Sequence, residues 1–307
     1  MASQRDVKNR ISSVKNIQKI TRAMEMVAAA RLRRAEQRIA ALRPYADALR
    51  RMTRQAAQAA GAEASRLPLL SEHDSKSNVG LLLITGDRGL AGGFNSQIIR
   101  AGIKIADELG DDGLQAVWYA TGRRGVSSLT FRGRELSGSY TGFADRPAYA
   151  DARSIADDLI TGYIDGRLDG VEIVYNAYIS PLTQEVTRET LLPLSAATIA
   201  AEGPEEQQSG EQLEHGSPPT PRALVDYEPD PEEILKRLVP DYVEISIYRA
   251  LVESTAGFFG AQMTAMRSAS ENAGEIITDL TLQMNRARQA EITQEIMEVV
   301  AGAEGLN

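Results

Sequence analysis

The sequence predicts an α/β protein: a long antiparallel coiled coil of N- and C-terminal helices plus a Rossmann-like α/β domain. Three observations carry this. Both ends of the chain repeat apolar or small residues at alternating steps of three and four, the spacing of a seam between helices. The middle opens on a continuous apolar run, Val79–Thr85 (VGLLLIT), as buried parallel strands do. Charge also divides the chain. Residues 1–60 hold 14 Lys+Arg and 4 Asp+Glu, a charge of +10, and the remaining 247 hold 20 and 38, a charge of −18.

The N-terminal stripe runs Val7, Ile11, Val14, Gln18, Thr21, Glu25, Ala28, Leu32, Ala35, Ile39, Leu42. Where it turns polar, Ile17, Ile20, Met24 and Val27 offer a second apolar edge. Alanine fills 15 of the 42 positions from Ala23 to Ala64, which favours helix. Pro44 is the one interruption, with a local kink expected there. At the other end no proline follows Pro240, and the stripe runs Ile245, Tyr248, Val252, Thr255, Phe259, Gln262, Met266, Ala269, Ala273, Ile276, Leu280, Gln283, Ala287 and onward. Gly257, Gly260 and Gly274 weaken this helix but allow close backbone approach. Two lone helices at opposite ends of one chain satisfy each other as an antiparallel pair, 1–60 with 232–307.

Between them, 78–200 reads as the α/β domain. The order is strand Val79–Thr85, a glycine-rich turn, helix Gln97–Leu109, strand Leu114–Ala120 and helix Tyr149–Ile164. An alternating strand over Val171–Ile179 and a fourth over Glu185–Leu192 follow. This order implies right-handed crossovers. Residues 201–222 are rich in Pro, Gly, Glu and Gln, the composition of a flexible loop.

Composition excludes several chemistries. With no Cys and two His, disulfides, thiolate metal sites and cysteine nucleophiles are absent. No apolar run approaches the roughly 18 residues of a spanning helix, and the N-terminus lacks the apolar core of a secretory signal, so a cytoplasmic setting is expected. GDRGLAGGFN, Gly86–Asn95, follows a strand as a phosphate loop would. Its spacing matches neither GxGxxG nor GxxxxGK[ST], so a tight turn secured by Asn95 is expected. No Ser, His and acid constellation can be assembled; catalytic, cofactor and metal residues are none. Arg31, Arg34 and Arg38 share one helical face, a partner surface or simply a solvated one. On the residues alone, a nucleic-acid-binding coiled coil and a nucleotide-binding enzyme with a coiled-coil arm stay open.

Three stretches narrow this. ITRAMEMVAAARLRRAEQ (Ile20–Gln37), ITGDRGLAGGFN (Ile84–Asn95) and NRARQAEITQEIMEVVAGAEG (Asn285–Gly305) together resemble the gamma subunit of F-type ATP synthase. VYNAYISPLTQEVT (Val174–Thr187) and YEPDP (Tyr227–Pro231) are similar to its middle and foot regions. The acidic loop is longer than usual for the family, and it lacks the Cys pair of the chloroplast thiol switch.

The resemblance implies a rotor without bond chemistry of its own, turning in a ring of alpha and beta subunits. It implies contact with the epsilon subunit and the membrane ring of c subunits, with no nucleic acid. The location implied is peripheral, at the cytoplasmic face of the cell membrane. By position, Arg22, Met24, Arg31, Arg33 and Arg34 would face the catalytic subunits' acidic lever. Arg288, Gln289, Thr293 and Glu295 would form a C-terminal coupling patch. Tyr227 and Glu228, in the foot segment 223–231, would lie near the membrane ring. The shaft register follows from geometry. With ends at Ala60 and Glu232, facing residue numbers sum to about 292, and the last 19 residues project roughly 28 Å at 1.5 Å per residue.

Overall fold

The computed structural model describes residues 4–73, 76–194 and 230–304. Helix α1 is Gln4–Ala60, with 57 residues, and α5 is Pro231–Glu304, with 74. At 1.5 Å per residue they are about 85 and 111 Å long. Helix α5 starts on Asp230-Pro231. The Asp230 carboxylate accepts the Glu232 N–H at 3.3 Å, and proline at the first helical position forfeits no internal hydrogen bond. Pro44 does not break α1. Pro44 and Ala40 both lie on its exposed side, so the carbonyl deprived of its i+4 donor faces water.

The two helices pair antiparallel along most of α1. Val7 and Ile11 bury against Leu280, flanked by Val14, Ile277 and Met284. Glu25 holds Arg267 at 2.9 Å, residue numbers that sum to 292, and the Gln18 amide donates to the Ser270 carbonyl at 3.2 Å, a sum of 288. The polar positions of the N-terminal stripe thus form the seam themselves. The second apolar edge does not: Ile17, Ile20 and Val27 are each more than half exposed. On α5 the expected Ile276 and Gln283 point outward, and Ile277 and Met284 take the inner positions. A helix turns 3.6 residues per turn, so a strict stripe drifts around it.

The α/β domain is a five-stranded sheet in the order β3-β2-β1-β4-β5. Its strands are β1 (Asn78–Ile84), β2 (Gln115–Thr121), β3 (Leu136–Tyr140), β4 (Gly170–Tyr178) and β5 (Gln184–Leu192). All neighbours are parallel except β5, which returns antiparallel to β4. Helices α2 (Phe94–Asp111), α3 (Arg123–Phe131) and α4 (Tyr149–Ile164) connect them. Helix α3 and strand β3 are additional to the sequence reading. Leu81 and Leu83 face α2 and α3, and Leu82 and Ile84 face α4 and the first turns of α5. Both faces of β1 are buried, which is why it reads as unbroken apolar residues.

Candidate functional site

In open α/β sheets ligands bind beyond the carboxyl ends of the strands, where the strand order reverses. Here that point lies between β1 and β4, and the shaft fills it. Phe258 of α5 meets Phe94 of α2 edge to face at 5.5 Å, with Phe259 beside it at 5.5 Å. Gly86 at the end of β1 leaves room for this: a Cβ there would come within 2.9 Å of the Phe258 ring. The remaining void, lined by Thr85, Gly86, Phe94 and Phe258 among others, is about 10 Å³, far below a small-molecule pocket of roughly 300–1,000 Å³.

The glycine-rich turn directs its polar groups inward. Asn95 accepts the Gly86 N–H at 2.8 Å and donates to the Arg88 carbonyl at 3.0 Å. The Asp87 carboxylate accepts from the N–H groups of Arg123, Gly142 and Ala144 at 3.0–3.1 Å. The carboxylate thus takes the first amide of α3, and the next two, of Arg124 and Gly125, donate to the Gly86 carbonyl at 3.2 Å and the Thr85 hydroxyl at 2.8 Å, so the donors a phosphate would use are already occupied. Gly122, at φ +80, has its would-be Cβ 2.1 Å from the Thr85 carbonyl oxygen, so this joint requires glycine.

Polar contacts then fasten the domain to the shaft. Arg249 of α5 donates twice to Glu189 of β5, at 2.8 and 2.7 Å, and to the Tyr175 hydroxyl at 3.1 Å. Burial raises the Glu253 carboxyl above its usual range, and the Arg249 guanidinium at 3.4 Å partly opposes this. The Tyr178 hydroxyl donates to Glu36 of α1; burial and that carboxylate push the phenol up. Thr255 donates to the Ala144 carbonyl at 2.9 Å. Arg31 pairs with Asp145 at 3.0 Å and lies over the Phe259 ring at 5.5 Å. No sequence signal marked Asp145, which only the fold brings to α1.

What remains open is the outside of the shaft. Arg22, Arg33 and Arg34 are exposed and Met24 is half-buried; Arg31 is 40% exposed in its pair. Arg288, Gln289, Thr293 and Glu295 are exposed on α5, as is every residue from Arg288 to Ala301. Among them Ile296, Met297 and Val299 are 57%, 63% and 73% exposed. The two arginine-bearing groups are not brought together. In the observed register Arg288 stands level with residue 4 or lower, about 27 Å along the shaft from Arg22. Tyr227 and Glu228 lie outside the described residues, as do His215 and the loop 201–222. His73 pairs with Asp169 at 2.9 Å and stacks on Tyr163. Among the described residues no group of three or more His, Cys, Asp or Glu side chains could hold a metal. No described helix is long and apolar enough to cross a membrane.

A Rossmann-like sheet whose ligand crevice is filled by a long two-helix shaft, with that shaft bared at its tip, defines a shaft-bearing α/β protein built to meet a partner. Comparison with known proteins agrees. The family model described as ATP synthase matches residues 3–306. The ATP synthase gamma chain of Rubrobacter xylanophilus is 42% identical over 306 residues, covering 100% of this chain and 99% of its own. That of a Nostoc species is 40% identical over 316 residues, with both chains fully covered. Among solved structures, a chain of the Euglena gracilis mitochondrial ATP synthase aligns with a TM-score of 0.66 at 14% identity, covering 99% of this chain and 94% of its own. A chain of the central stalk and c-ring structure from Tetrahymena thermophila mitochondrial ATP synthase aligns at 0.57, 24% identical, covering 82% and 99%. The chain belongs to the ATP synthase gamma chain family, the non-catalytic rotor subunits of the central stalk.

Proposed function

We propose that the shaft of this chain turns inside a ring of alpha and beta subunits, with the foot on the membrane ring of c subunits and the epsilon subunit beside it. In this reading the shaft is 1–60 with 232–307 and the α/β domain is 78–200. The foot segment 223–231, with Tyr227 and Glu228, lies near the membrane ring. The complex then sits at the cytoplasmic face of the cell membrane. Arg22, Met24, Arg31, Arg33 and Arg34 face the acidic lever of the catalytic subunits, and Arg288, Gln289, Thr293 and Glu295 engage them near the tip. Rotation presents a different side of the asymmetric shaft to each catalytic site, changing its affinity for nucleotide in turn.

The observation that carries this reading is the bared tip of α5. Its apolar groups have no cover among the described residues, and a lone helix of that kind frays in water. A closely fitting apolar bearing supplies both cover and order. Ile17, Ile20 and Val27 add further exposed apolar groups on α1. The test is affinity purification of tagged chain from membranes at moderate salt. Alpha, beta, epsilon and c subunits should co-purify, and removing Glu298–Asn307 should weaken retention of alpha and beta while leaving epsilon and c. Loss of epsilon and c with alpha and beta retained would place the ends of the shaft the wrong way round.

A further inference from the structure

One cavity opens beside the joint between the domain and the shaft. It has a volume of about 380 Å³ and opens between α1, α5 and the loop before α4, with Arg31, Arg34, Arg38, Arg146, Asp145 and Phe259 in its walls. That volume lies within the range of small-ligand pockets. Four guanidinium groups therefore face one carboxylate. That carboxylate is already satisfied: Asp145 takes Arg31 at 3.0 Å and Arg88 at 3.5 Å. Among the described residues no acid pairs with Arg34, Arg38 or Arg146. Two of these are carried by the shaft and one by the α/β domain, so like charges confront each other across the joint.

We infer that this cavity binds a multiply charged phosphate anion, of the size of inorganic phosphate or pyrophosphate, which bridges Arg34 and Arg38 to Arg146. Guanidinium forks match phosphate oxygens in pairs. Three cations converging on one cavity favour a compact anion of charge −2 or more over chloride or a single carboxylate, because the attraction scales with the product of charges. The bound anion would replace repulsion across the joint by a bridge and stiffen the domain on the shaft. The site is distinct from the closed crevice between β1 and β4. It does not rest on the rotor reading, although Arg31 and Arg34 are shared with the coupling face proposed above.

The test is calorimetric titration of the full chain with inorganic pyrophosphate, with orthophosphate and acetate in parallel at matched ionic strength. Saturable 1:1 binding is expected, tightest for pyrophosphate and absent for acetate. Arg38→Gln and Arg146→Gln should each weaken it about tenfold, the effect of losing one hydrogen bond to a charged group. Arg132→Gln, an exposed arginine beyond the end of α3, should leave it unchanged. All of these side chains are at least partly exposed, so the variants fold. Non-saturable binding would overturn the assignment. So would equal weakening by Arg132→Gln, or no weakening by Arg38→Gln and Arg146→Gln.

Discussion

Phe258→Ala tests the joint between the domain and the shaft. Phe258 is 4% exposed and is wedged between Phe94, Phe259 and the end of β1. Truncating a buried phenylalanine costs about 3–5 kcal/mol when the site cannot collapse. Collapse is restricted here, because Phe94 opens α2 and Gly86 sits in the turn just after β1, and neither backbone can follow the missing ring. The loss is a large part of the ~5–15 kcal/mol that holds a typical domain folded. It should also be local. Leu280, at the far end of the helix pair, lies 22 residues further along α5, about 33 Å away, where additivity between sites holds. Hydrogen exchange on the full chain should show faster exchange at the end of β1 and the first turn of α2. The pairing of Val7 and Ile11 with Leu280 should keep its protection. Phe258→Leu should recover most of the loss. A cost under about 1 kcal/mol, or uniform loss of protection along α1, would refute the view that this ring seals and fastens the crevice.

Asp169 offers a pH test. Burial opposes its charge, but the Asn78 N–H, the His73 ring and the Ser77 N–H together hold its carboxyl below the usual range. A depressed carboxyl stabilises the fold above the unfolded value of about 3.9, and that contribution fades as pH falls through the folded value. Asp169→Asn should therefore lower the melting temperature at pH 7 and have progressively less effect below pH ~4, read by thermal denaturation across pH. Removing Glu298–Asn307 should leave the melting temperature of the isolated chain nearly unchanged, since the described tip makes no contact with α1; a marked drop would mean the tip packs against its own chain. Charge reversal of Arg33 and Arg34 should shift stability by no more than about 0.5 kcal/mol while impairing ATP-driven coupling in the reconstituted complex; normal coupling would reduce them to a solvated face.

The long helices were legible because burial repeats along them every three or four residues, and the antiparallel register followed from where the two helices end, near Ala60 and Glu232, and the common rise per residue. The drift that turns Ile276 outward and Ile277 inward was not legible, since it depends on how tightly the partner winds. Strand β1 was legible from its apolar run. Strand β3 (LSGSY) was not: it is a short edge strand with alternate residues exposed, so it has neither an apolar run nor a strong period. Helix α3 has nine residues and buries only Gly125 and Leu129, too little to leave a stripe. The glycine-rich turn was read correctly as secured by Asn95, but its role in receiving Phe258 needed the fold, because Gly86 and Phe258 are 172 residues apart. The pairing of Arg31 with Asp145 was hidden for the same reason.

If this chain turns as a shaft, its rotation can be watched directly. The chain contains no cysteine, so a single Ser127→Cys substitution on the exposed side of α3 gives one attachment point for an optical probe well away from the shaft. With a ring of alpha and beta subunits fixed to a surface around the chain, ATP should drive the probe around in one direction. A probe that stays still while the same ring hydrolyses ATP would contradict the account.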